Sequence, residues 1–417
     1  MPERTLLDMM ANGQQYAGWA DNFGPLSGSE PKIKNAIEKY IINTFGMGTG
    51  MGPVQTARHV KANGISPHVL SRINRRHVNV KSLNQAMNKL INYANSFSLT
   101  HMLGDKDKCG VDGTLRNIFD DNLLAETHYR YLSKGAIAYH HISDTYIALF
   151  STFIPCGVWE AVEIIESLLK NKSDIQPHTI HGDTQAQSSI VFGLSYLFGI
   201  NLMPRIRNFS GLKFFKADKD IVYNNIDQLF DNNIINWDLL ETHWQDLMQV
   251  VISIQEGKIS SSTLLRKLTN NSKKNKLFKA FRELGNVIRT LFLLEYISDP
   301  KFRDSITETT NKVESFNGLS DWCAFGSKYI VASNDPNEME KAIKYNTLIV
   351  NCIIIQNLVD ISTILHQLTT EGWEITKEDI KKLSPYLTEH IKRFGVYILN
   401  MLPVASVPDE IRELAVA

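Results

Sequence analysis

The sequence predicts an α/β layer carrying a helical insertion and set between two mostly α-helical flanks. Three observations carry that reading. Residues 28–100 place apolar side chains at three- and four-residue intervals. Residues 135–200 then run strand, strand, helix, strand, helix, which is the order of an α/β layer. From about residue 218 the helical period returns.

In the first flank, PKIKNAIEKYIINTF, VQTARHVKA, PHVLSRINRRHV and KSLNQAMNKLINYANSF each read as helices. Between the first two lies FGMGTGMGP at 45–53. No strand precedes its glycines and no Gly-Lys-Ser/Thr follows, so it reads as an interhelical turn rather than a phosphate cradle. The segment GAIAYHHISDTYIALFSTFIP at 135–155 is rich in β-branched and aromatic residues and predicts two strands joined by a tight turn at Ser143 and Asp144. VWEAVEIIESLLKN follows as an amphipathic helix, DIQPHTIHGDTQ as a short strand ending at Gly182 and Asp183, and AQSSIVFGLSYLFG as another helix. Residues 218–310, including IDQLFDNNIINWDLLETHWQDLMQVVISIQEG, are read as a helical insertion, and 336 to about 400 as a further helical stretch with a loose tail. The expected division is therefore 1–100, then 101–335 with its insertion at about 218–305, then 336–417.

Composition bounds the function. The 417 residues are 43% hydrophobic and 21% charged, which suits a soluble globular protein and excludes a disordered or fibrous one. Basic and acidic residues balance at 44 each, so any nucleic-acid contact must rest on local clusters. The four cysteines, Cys109, Cys156, Cys323 and Cys352, form no CxxC pair and read as plain thiols of a reducing cytoplasm. The N-terminus has no apolar export signal. TLIVNCIIIQNLVDISTIL at 347–365 is interrupted by Asn351, Gln356, Asn357 and Asp360, and suits a buried helix better than a membrane span.

Three acidic residues stand beside turn or cap residues: Asp112 in CGVDGTLRN, Asp183 in TIHGDTQ and Glu314 in TTNKVESFNG. A carboxylate at a strand end next to glycine can point into a cleft while the backbone turns away. Glu314 shares a helix face with Asn311 and Asn317. Two such aspartates converging with a helix glutamate form an all-oxygen set of the kind that magnesium prefers. Two cations about 3.5–4 Å apart would then activate the attacking oxygen and stabilise the leaving one of an in-line displacement. Taken singly, an Asp before a turn and a Glu on a helix are usually structural or solvated. His178, His181 and Asp183, or His140 and His141, suggest zinc, but no cysteine lies near and adjacent strand residues face opposite ways, so these histidines read as cleft or core residues.

These residues also carry a resemblance that spans nearly the whole chain. YHHISDTYIALFSTFIPCGVWEAVEIIESLLKN, SDIQPHTIHGDTQAQSSIVFGLSYLFGINLMPRIRN, NKLFKAFRELGNVIRTLFLLEYISD, TTNKVESFNG and LSPYLTEHIKRFG resemble, in the same order, the transposases of the Tn-three family of class II, replicative elements of bacteria. The resemblance implies an α/β ribonuclease-H-like catalytic core with a helical insertion, flanked by mostly α-helical N- and C-terminal regions. It implies that Asp112, Asp183 and Glu314 are the catalytic and metal-binding triad, with two Mg2+ ions, replaceable by Mn2+, as cofactor. It implies hydrolysis at transposon ends followed by strand transfer into target DNA, a homodimer, double-stranded DNA (terminal inverted repeats and target) as partner, no membrane, and a cytoplasmic, nucleoid-associated location.

The chain departs from the family pattern in places. GDKDKCGVDG puts lysines and Val111 before the first aspartate, which makes Asp105 and Asp107 rivals for that role; Ala186 stands where the family has glycine; and LSDWCAFGSKY replaces an aromatic and double glycine. Family members run to more than twice this length, so the expectation is a carboxy-terminal fragment, truncated gene or decayed copy. Two basic clusters are the expected DNA contacts: Arg205, Arg207, Lys213 and Lys216, and, in the insertion, Arg266, Lys273, Lys274, Lys276, Arg282 and Arg289 interleaved with Phe278 and Phe281. A solvated helix face is the bland alternative for the second cluster. The competing functions are a nuclease or integrase of the same class, which would cleave without joining, and a catalytically impaired remnant that only binds DNA or dimerises.

Overall fold

The computed structural model of the chain describes all residues except 119–121, 123–125, 129–132, 156–162, 210, 261–262, 265–274, 326–329, 332 and 415–417. Six helices open the chain: α1 (Leu6–Ala17), α2 (Ala36–Gly48), α3 (Gly52–His59), α4 (Pro67–Arg76), α5 (Val80–Asn95) and α6 (Ser98–Leu103). Their starts follow local rules: Thr5 and Asp8 form a capping box on α1, and Ser66 and Asn79 accept from the backbone amides of Val69 and Ser82. The interhelical turn expected at 45–53 is shorter, covering residues 49–51, because α2 continues through Gly46 and Gly48 and α3 starts at Gly52. Gly50 and Gly52 take positive φ, and a side chain on Gly48 would collide with the Tyr345 carbonyl 2.7 Å away.

The layer begins with β1 (Lys108–Ile118), then β2 (Ser133–Ser143) and β3 (Ala148–Pro155), joined by the turn expected at Ser143 and Asp144. It continues with α7 (Glu163–Lys170), β4 (Thr179–His181), α8 (Ser189–Leu197) and β5 (Asn201–Leu202). The sheet order is β3–β2–β1–β4–β5, with β2 antiparallel to both neighbours and β1, β4 and β5 mutually parallel. Two short strands extend it, Glu126–His128 beside β2 and Ile330–Val331 parallel to the far end of β1.

The insertion holds α9 (Trp237–Gln255) and α10 (Lys276–Ser298), and is followed by α11 (Pro300–Cys323). It is less helical than its sequence predicts, because Phe230–Ile234 forms a strand beside Phe214–Lys216. Tyr223 stacks on Phe230 at 4.6 Å and Phe214 meets its edge at 5.9 Å, which holds this run extended, and Asn236 starts α9 only afterwards by accepting from Leu239 N at 2.9 Å.

The last long helix, α12 (Pro336–Thr370), is long and apolar enough to cross a membrane, but 89% of its most apolar 18-residue stretch is buried within the chain. It packs against α1, α2, α5 and β3. The polar residues that interrupt its sequence are each satisfied there: Asn351 brackets Ala148 through its N–H (3.1 Å) and carbonyl (2.9 Å), Gln356 joins Asn12 and Asp360, Asn357 donates to the Pro385 and Leu387 carbonyls, and Asp360 receives Arg4. Beyond Thr370 the helical expectation fails. Apart from short helices at Lys377–Lys381 and Asp409–Arg412, the chain runs in turns and two-residue strands past Gly372, Pro385 and Gly395.

Helix α11 lies directly on β1. A side chain added at Gly110 would meet Val313 and the Thr309 carbonyl, the latter 2.8 Å away. Gly110→Ala is therefore expected to cost about 1–3 kcal/mol of stability through overpacking. The check is the urea midpoint of the full chain, and a midpoint equal to the parent's would show that α11 is free to move.

Candidate active site

Asp112 lies in β1 and Asp183 just past β4. The last paired residues of these parallel strands are Gly110 and His181, so both aspartates stand two residues further on and level with each other: Asp183 lies beyond the end of β4, whereas Asp112, expected at a strand end, lies within β1, which runs on to Ile118 and pairs it with His140. Neighbouring strands lie about 4.8 Å apart. Both carboxyl groups are half-buried. Asp112 follows Gly110 by two residues and so faces α11, and there Asn317 Nδ2 donates to Asp112 Oδ2 at 3.1 Å.

Glu314 is one turn before Asn317 on α11, with its side chain 53% exposed. Its nearest cation is Arg205, with Nη1 3.9 Å from Oε1. Arg205 is itself placed by the sheet, because its backbone N–H donates to the Gly182 carbonyl at 2.8 Å, beside Asp183. Asn317 thus links α11 to Asp112, and Arg205 links it to the end of β4 beside Asp183. Among the described residues, no three His, Cys, Asp or Glu side chains stand close enough to share a metal ion.

The rival aspartates are elsewhere. Asp107 precedes β1 at the level of His178, five residues back from the Asp112–Asp183 level, or about 16 Å at 3.3 Å per residue. It pairs with His178 Nδ1 at 2.9 Å and accepts from Thr179 Oγ1 at 3.3 Å. Asp105 is paired with Lys108 at 3.3 Å on that same edge.

Two clamps hold α11 at its height. The buried Lys312 ammonium donates to the carbonyls of Asp144 (2.8 Å) and Leu103 (3.3 Å) and lies 4.5 Å over the Tyr146 ring. Buried Arg116 reaches from β1 to Ser320 at 2.6 Å and to Asp321. Sequence reading placed Asn317 on the Glu314 face without a role and passed over Lys312 and Arg116. The signal in the sequence was the place of Asn317 one turn from Glu314; Lys312, two residues from Glu314, and Arg116, on β1, carried none.

The histidines are core groups, His178 excepted. His140 pairs directly across from Asp112 on β2 and packs 5.2 Å from Phe316, with its ring nitrogens unpartnered. Burial pushes its pKa well below the ordinary value, and holds those of His141 and His181 down at about 4. Ala186, on the short 3-10 turn Thr184–Gln187 after Asp183, is buried with its methyl over Gly182. The missing Gly182 side chain leaves the room it needs.

Of the expected DNA contacts, Arg207, Lys213, Lys276 and Arg282 are exposed. Lys216 is paired with Asp227 at 2.6 Å, and Arg289 is half-buried, with desolvation lowering its pKa. Arg266, Lys273 and Lys274 lie outside the described residues. Phe278 and Phe281 do not interleave the basic residues at the surface. They are buried, because α10 presses this face onto α8, where a side chain at Gly193 would meet the Phe281 carbonyl at 2.6 Å.

Residues 8–397 match the Tn3 transposase DDE domain. The chain belongs to that family. It is similar to the transposase for transposon Tn1546 of Enterococcus faecium, 26% identical over 98% of this chain and 41% of the relative. It is also similar to the transposase for transposon gamma-delta of Escherichia coli (strain K12), 26% identical over 99% of this chain and 41% of the relative, and to that for Tn501 of Pseudomonas aeruginosa, 24% identical over 95% and 40%. This Tn3 DDE chain therefore spans about 41% of the length of the curated relatives it matches most fully.

The buried histidines give the Tn3 DDE chain a pH dependence. A histidine kept neutral in the fold, at about 4, but titrating near 6.5 when unfolded contributes stability that is complete above pH 6.5 and is lost as pH falls towards 4. Each adds up to about 1.4 kcal/mol per pH unit across that window. The urea midpoint should fall between pH 7 and pH 5, and His141→Gln should flatten the slope. A midpoint constant over that range would mean that these rings are not held neutral.

Proposed function

We propose that this chain is the catalytic portion of a DNA transposase, that its sheet is a ribonuclease-H-like core, and that Asp112, Asp183 and Glu314 are its metal-holding triad. The order β3–β2–β1–β4–β5 with one antiparallel strand supports the core assignment. The observation that carries the triad is the equal level of Asp112 and Asp183 on adjacent parallel strands, with Glu314 on the helix laid across them. The donors are all carboxylate oxygens, which fits a hard divalent cation such as Mg2+ or its substitute Mn2+.

In this reading Asp112 and Asp183 would hold the cations from the sheet and Glu314 from α11. When bound, a pair of such ions neutralises charge on the scissile phosphate and activates the attacking oxygen. Asn317 fixes the Asp112 carboxylate by its 3.1 Å hydrogen bond. Arg205, beside Glu314 at 3.9 Å, would contact a phosphate next to the reacting one. The exposed Arg207 and Lys213, which follow in the chain, extend that contact along the backbone of the duplex. Cleavage at transposon ends and joining to target DNA are both phosphoryl transfers of one geometry, so a single site serves both. Duplex DNA as partner, a homodimer and a cytoplasmic, nucleoid-associated location belong to the same proposal.

The test is cleavage and joining of pre-nicked transposon-end duplexes in Mg2+ or Mn2+. Asp183→Asn and Glu314→Gln should each lower turnover at least about 100-fold, or about 2.7 kcal/mol of barrier, with unchanged unfolding midpoints. Parent-like turnover in either variant refutes the triad. Cleavage without joining favours a nuclease of the same class, and DNA binding with no cleavage by the parent chain favours a remnant.

A further inference from the structure

The basic residues outside the expected clusters are unevenly placed. Residues 31–81 hold nine lysines and arginines against one acid, Glu38, in a chain whose total charge is zero. Most of that charge is on the surface: Lys32, Lys34, Arg58, Lys61, Arg72, Arg75, Arg76 and Lys81 are exposed, and among the described residues none of them makes an ion pair with an acid.

The centre of this region is α4. Leu70 and Ile73 bury its apolar side, while Arg72, Arg75 and Arg76, at i, i+3 and i+4, share the outer one. Together with Lys32 from the preceding loop they line an open cleft of about 390 Å³. An adjoining cleft of about 570 Å³ shares residues 25, 26, 29, 30 and 77 with it and carries the surface on to Lys81 at the start of α5. Glu30 is the sole acid along either cleft.

Cations near a helix C-terminus commonly serve the helix itself. Here that need is already met, because Leu26 N–H donates to the Arg76 carbonyl at 2.9 Å and Gly24 N–H to the His77 carbonyl at 3.1 Å. Three uncompensated guanidinium groups on one helix face repel one another, an arrangement that an external polyanion relieves. The surface is also fixed relative to the core. Asn74, on the inner side of α4, donates to Glu338 at 2.7 Å and accepts from Tyr345 Oη at 3.0 Å on α12, and the next residue of α12, Asn346, accepts from Ser320 on α11 at 2.5 Å. The basic face and the helix bearing Glu314 are thus linked through continuous hydrogen bonds.

We propose that this face of α4, with Lys32 and Lys81 at its borders, is a phosphate-binding surface for duplex DNA, separate from the contacts at Arg205 and Arg207. The choice of DNA among polyanions rests on the transposase reading above. The arginine forks suit phosphate oxygens bidentately, so the surface would hold the backbone of the duplex.

The experiment is binding of the full chain to a fluorescent duplex of arbitrary sequence, in EDTA so that no chemistry enters, over a range of salt. Arg72→Ser/Arg75→Ser/Arg76→Ser should weaken binding and lower the slope of log K against log salt by about 0.9 for each phosphate no longer neutralised, or up to about 2.7. Arg72→Lys/Arg75→Lys/Arg76→Lys keeps the charges and should retain most of the slope, so a slope that falls only in the serine variant reports missing charge rather than a damaged fold. An unchanged slope in the serine variant overturns the proposal. So does arginine-dependent binding to anionic phosphatidylserine vesicles that exceeds binding to the duplex, since the surface then serves a membrane. Because binding in EDTA needs no cation at the triad, failure of the triad and failure of this surface give different results.

Discussion

The absence of a side chain at Gly110 is the constraint on which the rest of the site depends. It lets α11 settle on β1 at the distance of a backbone contact, with Val313 and the Thr309 carbonyl against the strand. Only at that height does Asn317 reach Asp112, with Glu314 one turn earlier beside Arg205. Lys312 and Arg116 then fix the helix along its axis, one to the β2–β3 turn and one to the strand it crosses. A buried ammonium and a buried guanidinium are costly unless fully satisfied, and each here is met by carbonyl, hydroxyl or carboxylate oxygens.

Parts of this were legible in the sequence and parts were not, for physical reasons. The β2–β3 hairpin was legible because 135–155 is dominated by β-branched and aromatic residues and broken by Ser143 and Asp144. The end of β4 was legible because Gly182 and Asp183 stop an apolar strand. The run around Phe230 was not. Its helical spacing of apolar residues competes with stacking between Tyr223, Phe214 and Phe230, which are not neighbours in sequence. In the same way Phe278 and Phe281 read as an aromatic interleave on a basic face, because periodicity cannot tell which face of α10 meets α8. The choice among Asp105, Asp107 and Asp112 needed the register of β1 against β4, which no single segment contains.

The helical flanks and the sheet share one large apolar core, in which α12 is the common wall. Its asparagines and glutamine, which break the apolar run in sequence, are what bind β3, the α2 terminus and the chain after Pro385 to it. This gives Asp112 and Asp183 a rigid back. It also carries α4, so that the excess positive charge of residues 31–81 is presented by the same body that positions Glu314.

The central claim is that Asp112, Asp183 and Glu314 act on one shared cation site. Localised hydroxyl-radical cleavage after Fe2+ replaces Mg2+ tests it most directly, since the radicals cut only the backbone beside the bound ion. The account predicts cuts near residues 112, 183 and 314 together, all of them competed by Mg2+ and all abolished in Asp183→Asn. Cuts near one of the three alone, or cuts that persist unchanged in that variant, would contradict it.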